Sequence, residues 1–577
     1  GCCQTVLREY LMILDVKSKN RCVVFLFYDK DGIVDRYVLD MLDDLRENAA
    51  FVYVAVNGFI TPEGRKRLAR HSDEVFCRVN LGFDVGGYRD AIFNIGFREL
   101  AKYDELVLMN YTFFAPLYPF REMFETMNPR DLDFWGITKH HNVPGDPYNG
   151  KIVYGYLPEH LNSHFFALRR DFFMSWAYRD FMCNMKVPGS YLDSITQYEA
   201  IFTKHFADLG YKWDVYANSD RFEGTYYAPF MFAMPELIRE DRCPIVKRRT
   251  FFSDYQFFLL NTAGESSYLT YEEIKKLPGV RTRPIWDNIL RLQNLPDIRQ
   301  VMHLTYLVDS EFTRHTFSPD DEAAVFVFCE PGADMELLAG HYLRKIPDTV
   351  RVICMDGPET YGEKLIAASM QAENYSFVGV LNLFDVRKSP EPKSDAASLL
   401  YREEESVIGS GAQIGNIMDE MKDERALGLL VPPVPSFGRY FAEIGDGWAG
   451  LYDQLTETLR LLGMTFPVTK TDARPAFPFG GSFWARGRAL MRAGLHLRDG
   501  RVHELVRDPE RQLLVRLLLP FLMQEERYLT GIVTGSRYAA IEFTNQDYML
   551  RVNNRMVFEK FGPDYYEQEL KKIRGKA

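Results

Sequence analysis

No stretch of this 577-residue chain offers the ~18 uninterrupted apolar residues that a membrane-crossing helix requires. Its longest apolar runs, Val23–Tyr28, Phe51–Val56 and Leu427–Val434, have the length of buried strands. The segment Gly1–Asp15 places Arg8 and Glu9 ahead of its apolar patch and shows no cleavage site, so it is not expected to act as a signal peptide. No C-x-x-C pair occurs. The eight cysteines stand at positions 2, 3, 22, 77, 183, 243, 329 and 354, a scatter that excludes a zinc ribbon or thioredoxin-like motif and predicts reduced thiols in a cytoplasmic protein. Neither G-x-x-x-x-G-K-[ST] nor G-x-G-x-x-G is present, which counts against P-loop and dinucleotide-binding enzymes. Positive charge is short as well: 69 Lys and Arg face 80 Asp and Glu, for a net charge of -11. That is not the overall electrostatic footprint of a nucleic-acid binder, and no nucleic-acid partner is expected.

Aromatic residues, by contrast, are abundant, with 33 Tyr and 43 Phe, enough to fill a large core. Strand-length runs alternate with helical spacing. Arg21–Tyr28 and Phe51–Val56 read as strands around a helix over Ile33–Arg46, marked by Val34, Tyr37, Val38, Met41 and Leu45. Thr61-Pro62 opens a second helix, Thr as cap and Pro in the first turn. Glu74–Val79 and Glu105–Met109 come next as strands, with a helix at Tyr88–Leu100 between them. The stretch from Tyr118 to Pro319 is irregular, with a strand at Leu161–Leu168 and a helix near Ser194–Leu209. After the polar break Ser318–Glu322 the pattern restarts: strands at Ala324–Cys329, Val350–Met355 and Tyr375–Leu381, helices at Met335–Arg344 and Tyr361–Ala372. This predicts an α/β chain of two tandem Rossmann-like modules with mostly parallel sheets, residues 1–319 and 320–577, with ligands at the carboxyl ends of the strands. Arg387–Asp395 and Glu403–Glu405 read as solvated surface.

Three places could carry chemistry. Asn80–Asp90 (NLGFDVGGYRD) joins a strand to a helix. Gly82, Gly86 and Gly87 allow a tight turn, the helix start suits phosphate, Arg89 suits a diphosphate, and Asp84 or Asp90 a base or ribose. The competing reading is a glycine turn with Asp as helix cap. Asn110-Tyr111-Thr112 comes directly after the fourth strand, and neutral oxygens there are poor sole ligands for Mg²⁺ or Mn²⁺. Glu199 shares the apolar stripe of Ile195, Phe202, Phe206 and Leu209. An inward carboxylate is costly unless it is paired or has a task, so Glu199 is a general base, half of an ion pair with an interior Arg or Lys, or exposed by a rotated helix. His140, His141, His160 and His164 lack acidic or cysteine partners nearby and are expected to play ordinary polar roles, and Lys247-Arg248-Arg249 reads as a solvated turn.

Taken together, NLGFDVGGYRDAI (Asn80–Ile92), LYPFREMFETMNPRDLDFWGITKH (Leu117–His140), HLNSHFFALRRDFF (His160–Phe173), CPIVKRRTFF (Cys243–Phe252), ALGLLVPP (Ala426–Pro433), FPFGGSFWARGRAL (Phe477–Leu490) and RLLLPFLMQEERYLTGIVTGSRYA (Arg516–Ala539) resemble the rhamnan synthesis F family of bacterial glycosyltransferases. The resemblance implies GT-A-like modules. It also implies inverting transfer of L-rhamnose or a related sugar from a dTDP-sugar to a growing lipid-linked cell-surface polysaccharide, at the cytoplasmic face of the membrane with peripheral contact. Glu199 would be the base. Asn80, Gly82, Asp84, Gly87, Arg89, Asp90, Asn110, Thr112 and Ser163 would hold the nucleotide sugar, and Asp385, Lys388, Ser389, Gly480, Gly481 and Trp484 a second pocket. The sequence departs from the family pattern in three places. Tyr111 replaces the Asp of Asn-Asp-Ser, so no metal ligand is assigned and little dependence on Mg or Mn is expected; Leu383–Ser389 lacks a His; and the acidic stretch after Phe483-Trp484 is reduced to His503 and Glu504. The rival reading is a non-catalytic glycan-binding or assembly scaffold with degenerate modules.

Overall fold

The computed structural model describes residues 12–329, 342–384, 392–435, 440 and 444–574. The chain divides into two compact units, Gly1–Asn288 and Ile289–Ala577.

The first unit carries β1 (Arg21–Phe27), β2 (Phe51–Asn57), β3 (Glu74–Arg78), β4 (Glu105–Asn110), β5 (Phe113–Phe114), β6 (Phe134–Gly136), β7 (Lys139–His140), β8 (His160–Leu161), β9 (Phe165–Arg169), β10 (Trp213–Val215) and β11 (Val246–Lys247). Seven of them form a sheet in the order β10-β6-β9-β4-β1-β2-β3, in which β9 alone runs antiparallel to its neighbours. Every residue of β1 is buried, as a strand covered on both faces requires. The helix α1 (Arg36–Asn48) buries Tyr37, Val38, Met41 and Leu45, the spacing read from sequence. Thr61 caps α2 (Pro62–His71) by accepting from the Gly64 amide at 3.0 Å. The helix α3 spans Phe83–Ile95 and so begins before Tyr88, because Gly82 at φ 75° turns the chain directly into it. A Cβ on Gly87 would lie 2.5 Å from Leu26 Cδ1, so this glycine serves the close approach of α3 to β1. The strand expected at Leu161–Leu168 is split into β8 and β9, with Asn162–His164 turning between them. Beyond α4 (Trp176–Asn184), the helix expected at Ser194–Leu209 is a composite. A π-helical turn, Ile195–Glu199, precedes α5 (Ala200–Asp208), and Leu209 is exposed.

At the amino edge of this sheet, Glu105 is fully buried. It accepts from Arg21 Nε (2.9 Å) and Trp135 Nε1 (2.9 Å) and pairs with Arg169 Nη1 at 3.0 Å. Burial alone would raise its carboxyl, but the two guanidiniums hold it below the usual range.

The second unit carries β12 (Thr305–Val308), β13 (Ala323–Phe328), β14 (Arg351–Met355), β15 (Phe377–Asn382), β16 (Leu427–Val431), β17 (Phe483–Arg486) and β18 (Leu529–Gly535), in the order β12-β18-β16-β17-β15-β13-β14 with β17 antiparallel. Six of the seven strands match the first unit in chain order and sheet order: β13, β14, β15, β16, β17 and β18 stand where β1, β2, β4, β6, β9 and β10 do, while β3 and β12 are edge strands without a counterpart. Two tandem α/β modules with mostly parallel sheets are therefore borne out. Their division falls at Asn288/Ile289 and not at 319/320, because β12, ahead of the polar break, pairs with β18. The helix expected at Met335–Arg344 lies largely outside the described residues.

The helices α6 (Tyr361–Ala372), α7 (Lys393–Val407) and α8 (Gln512–Glu525) flank this sheet. Glu403, Glu404 and Glu405 are not surface. They are buried at 1%, 6% and 7% exposure, because α7 packs onto β15 and β18. Each carboxylate has a partner: Glu403 the Ser482 amide, Glu404 Lys345, and Glu405 Arg537. Among the described residues no helix is long and apolar enough to cross a membrane.

Candidate active site

The fourth strand of the first sheet ends at Asn110, level with Leu26 of β1. Its side chain is fully engaged. Nδ2 donates to Asp84 Oδ2 at 2.6 Å, while Oδ1 accepts from the Thr112 hydroxyl (2.6 Å) and amide (3.0 Å). The loop after β4 is thereby tied to the first turn of α3. Burial raises the Asp84 carboxyl to about 6, with Lys247 opposing and Glu199 adding to the shift.

Glu199 reaches the same edge from the π-helical turn. Its Oε1 accepts from the Ser163 amide at 3.2 Å, and the Ser163 carbonyl accepts from the Tyr88 hydroxyl at 3.2 Å. The expected alternative of a direct ion pair is not realised: among the described residues no cation lies within 4 Å of Glu199. Lys247 comes from β11, whose pairing with β5 sets it opposite Phe113. Its ammonium lies 5.7 Å over the Phe230 ring. Burial lowers its pKa, and the charges of Glu199 and Asp84 pull it back up. The imidazoles at this edge have mixed surroundings: His141 Nδ1 lies 3.6 Å from Glu159, an acidic neighbour the sequence did not show, and the buried Nδ1 of His164 has no hydrogen-bond partner among the described residues. His160 Nδ1 contacts the Pro158 carbonyl at 2.7 Å and its ring stacks on His140 at 5.0 Å. Burial and the neighbouring His160 push His140 down to about 3. Behind Glu199 lies an apolar cavity of about 40 Å³ lined by Val85, Leu108, Phe166, Met182 and Phe202, room for a water or a methyl group but not for a sugar ring.

Of the residues singled out by sequence, Asp84, Asn110, Thr112, Ser163 and Glu199 converge here. Others do not. Arg89 faces away: its Nη1 donates to the Met185 carbonyl at 2.8 Å and its guanidinium sits 5.8 Å from the Phe93 ring. Asp90 is taken by Arg78 at 2.7 Å, and Arg78 also holds the Leu81 carbonyl (2.7 Å) and Asn57, so this arginine pins the glycine turn from within. Gly82 and Gly87 serve helix entry and packing, and Asn80 is exposed on the loop. Lys247 escapes sequence reasoning because three consecutive basic residues look like a solvated turn. The β5–β11 pairing and the turn after it bring Lys247 and Arg248 inward, Arg248 against the Tyr37 and Tyr111 rings, and leave Arg249 exposed.

In the second unit Asp385, Lys388 and Ser389 lie outside the described residues. Trp484 is no pocket residue: it is fully buried and donates Nε1 to the Val407 carbonyl at 2.8 Å. Gly480 and Gly481 do border a polar cluster. A Cβ on Gly480 would lie 2.4 Å from the Glu403 carboxyl carbon, and the Gly481 carbonyl accepts from the Tyr361 hydroxyl at 2.9 Å. Glu403 accepts from the Ser482 amide at 2.8 Å, and burial pushes its carboxyl up to about 7. Arg516 lies 4.8 Å over the Tyr361 ring. Asn382 ends β15 as Asn110 ends β4, level with Phe328 of β13. Glu199 precedes Trp213 of β10 by 14 residues, and Arg516 precedes Leu529 of β18 by 13. Arg516 lies within α8 and donates Nη1 to the Phe479 carbonyl at 2.9 Å.

A divalent cation at the first site would need several convergent oxygens of which some are anionic. Asp84 has one oxygen committed to Asn110, Asn110 and Thr112 are bonded to each other, and the Lys247 ammonium faces both carboxylates. Among the described residues no three His, Cys, Asp or Glu gather as a metal site. This donor set does not fit a divalent cation.

The family described as Rhamnan synthesis protein F matches residues 52–329 and 334–517. The uncharacterized protein y4gN of Sinorhizobium fredii is 22% identical over 188 residues, 33% of this chain and 46% of that protein, so the chain spans about half the length of that relative. Two solved structures share partial likeness. The mannosyltransferase Ktr4p from S. cerevisiae in complex with GDP has 12% identity and a TM-score of 0.20, over 30% of this chain and 63% of its own. Core-mannan synthase A from Aspergillus fumigatus, Mn/GDP-form, has 11% identity and a TM-score of 0.17, over 29% and 63%.

Proposed function

Because the chain belongs to the rhamnan synthesis protein F family, we propose that it is a glycosyltransferase acting through its first unit. The donor is dTDP-L-rhamnose or a closely related dTDP-sugar, and the acceptor is a growing lipid-linked cell-surface glycan reached by peripheral contact at the inner face of the cytoplasmic membrane. The observation that carries this reading is Glu199: a carboxylate held by the Ser163 amide at the carboxyl edge of β4, beside the Asp84–Asn110–Thr112 chain.

Its chemistry derives from that placement. Glu199 takes the proton of the acceptor hydroxyl. The freed oxygen attacks the anomeric carbon as the bond to the diphosphate breaks on the opposite face, and the electron pair leaves with dTDP. A single displacement inverts the anomeric centre. Asp84 and Thr112 are placed to orient sugar hydroxyls, and Asn110 fixes both of them. The second unit is assigned glycan binding and not transfer: its buried carboxylate Glu403 is held by the Ser482 amide and Arg516 by the Phe479 carbonyl, and a scaffold role for that half is the reading these contacts favour.

Glu199→Gln keeps shape and one acceptor oxygen but cannot take a proton. Turnover is expected to fall ~10²–10⁴-fold with dTDP-sugar affinity retained. Full turnover in a folded variant overturns the assignment.

A further inference from the structure

Resting on the reading of this edge as a nucleotide-sugar site, we propose that Lys247 is the cation that binds the donor diphosphate and stabilises it as it leaves, the task that a divalent metal performs in metal-dependent transferases. When the anomeric C–O bond breaks, its electron pair passes to a phosphate oxygen. The growing negative charge needs a fixed positive partner in a site shielded from water. Lys247 donates a hydrogen bond to that oxygen without losing its proton, and the proton released by the acceptor ends on Glu199.

Three observations support this role. First, the backbone of Lys247 is fixed at the site. Lys247 pairs with Phe113, three residues beyond Asn110, and the next residue, Arg248, donates its amide to the Thr112 carbonyl at 3.0 Å. The lysine therefore belongs to the same loop system that ends β4. Second, the charges acting on it are Glu199, Arg249 and Asp84, yet among the described residues it makes no ion pair within 4 Å with either carboxylate. Third, the ammonium rests against the face of Phe230, an apolar wall that supplies no hydrogen-bond acceptor of its own. A shielded cation lacking a direct anionic partner is costly unless something supplies one. A diphosphate entering at the carboxyl edge of the sheet does so. Arg249, exposed at the rim and bonded to Tyr191, adds a second positive charge on the approach. The same arrangement explains how the site can dispense with the missing carboxylate at Tyr111: a metal and Lys247 would compete for one volume.

The test uses the full chain, calorimetric titration with dTDP, and release of dTDP from dTDP-L-rhamnose. Lys247→Met is expected to weaken dTDP binding ~10–100-fold and to slow release, while thymidine, which has no phosphate, binds both proteins alike. Lys247→Arg is expected to stay within about tenfold of wild type in affinity. Wild-type release is expected to survive exhaustive EDTA. Unchanged dTDP affinity in folded Lys247→Met overturns the proposal, as does complete loss of wild-type release in EDTA with recovery in Mn²⁺. That second arm needs no variant, and Lys247→Gln replaces the Met variant if the latter does not fold. Wild type that binds dTDP but releases none from dTDP-L-rhamnose removes the donor reading alone, and the lysine then stands or falls on the dTDP titration. Wild type that binds no nucleoside diphosphate removes both.

Discussion

Glu403 shows what a single buried carboxyl does to a whole chain. It is 1% exposed, accepts from the amide and hydroxyl of Ser482 and from the Gly480 amide, and burial still raises it to about 7. In the unfolded chain it titrates near the ordinary carboxylate value, so between about pH 4.5 and pH 7 the native state binds the extra proton. The stability that protonation provides is whole below that window, falls as pH rises through it, and is gone above it. The cost above pH 7 amounts to ~3 kcal/mol, at about 1.4 per pH unit. Glu403→Gln keeps an acceptor for Ser482 but does not ionise. Its melting temperature relative to wild type is therefore expected to climb as pH is raised from 5 to 8. An offset that stays constant between those two pH values would show that Glu403 does not titrate in the native state. Asp84 is raised in the same direction by burial, with the charge of Lys247 opposing the shift.

At the scale of elements, the helix bearing Glu199 is the instructive case. The sequence stripe through Ile195, Glu199, Phe202 and Phe206 is real in its second half, where Phe202 and Phe206 are buried. Its first half is wound as a π turn. Such turns carry one residue more than an α turn and shift the backbone on their amino side relative to that on their carboxyl side. Here the turn ends at Glu199 and lets it meet the Ser163 amide, which the split between β8 and β9 presents. Deleting exposed Gln197 restores an α count. The expected outcome is a helical, folded protein with turnover reduced at least as far as in Glu199→Gln, read by circular dichroism and donor release on one sample. Normal turnover would mean that the bulge has no part in aiming the carboxylate. None of this is legible in the sequence, because a π turn and an α-helix share nearly the same residue periodicity over so short a span.

For the whole molecule, the pairing of β12 with β18 decides where one unit ends. A fragment starting at residue 289 retains β12 beside β18. One starting at 320, the boundary suggested by the acidic break, loses it and bares the edge of a strand whose residues are almost all buried. The shorter fragment is expected to melt several degrees lower and to scatter light at concentrations where the longer one stays clear. Equal behaviour would make β12 dispensable to the second core.

Sequence by itself determined the alternation of strands and helices, the restart after Ser318–Glu322, the cap at Thr61 and five of the residues that meet at the first site, because periodicity and capping are written within a few consecutive residues. Only the tertiary structure decided which charges are inside. Arg89 turns to Met185, Lys247 turns to Glu199 and Asp84, and Glu403–Glu405 are buried although the run looks solvated. The physical reason is the reach of the partners. Asp84 and Asn110 lie 26 positions apart, Ser163 and Glu199 36, and Glu403 and Ser482 79. Whether a charge is tolerated indoors depends on groups brought to it by the sheet, and no local pattern records them.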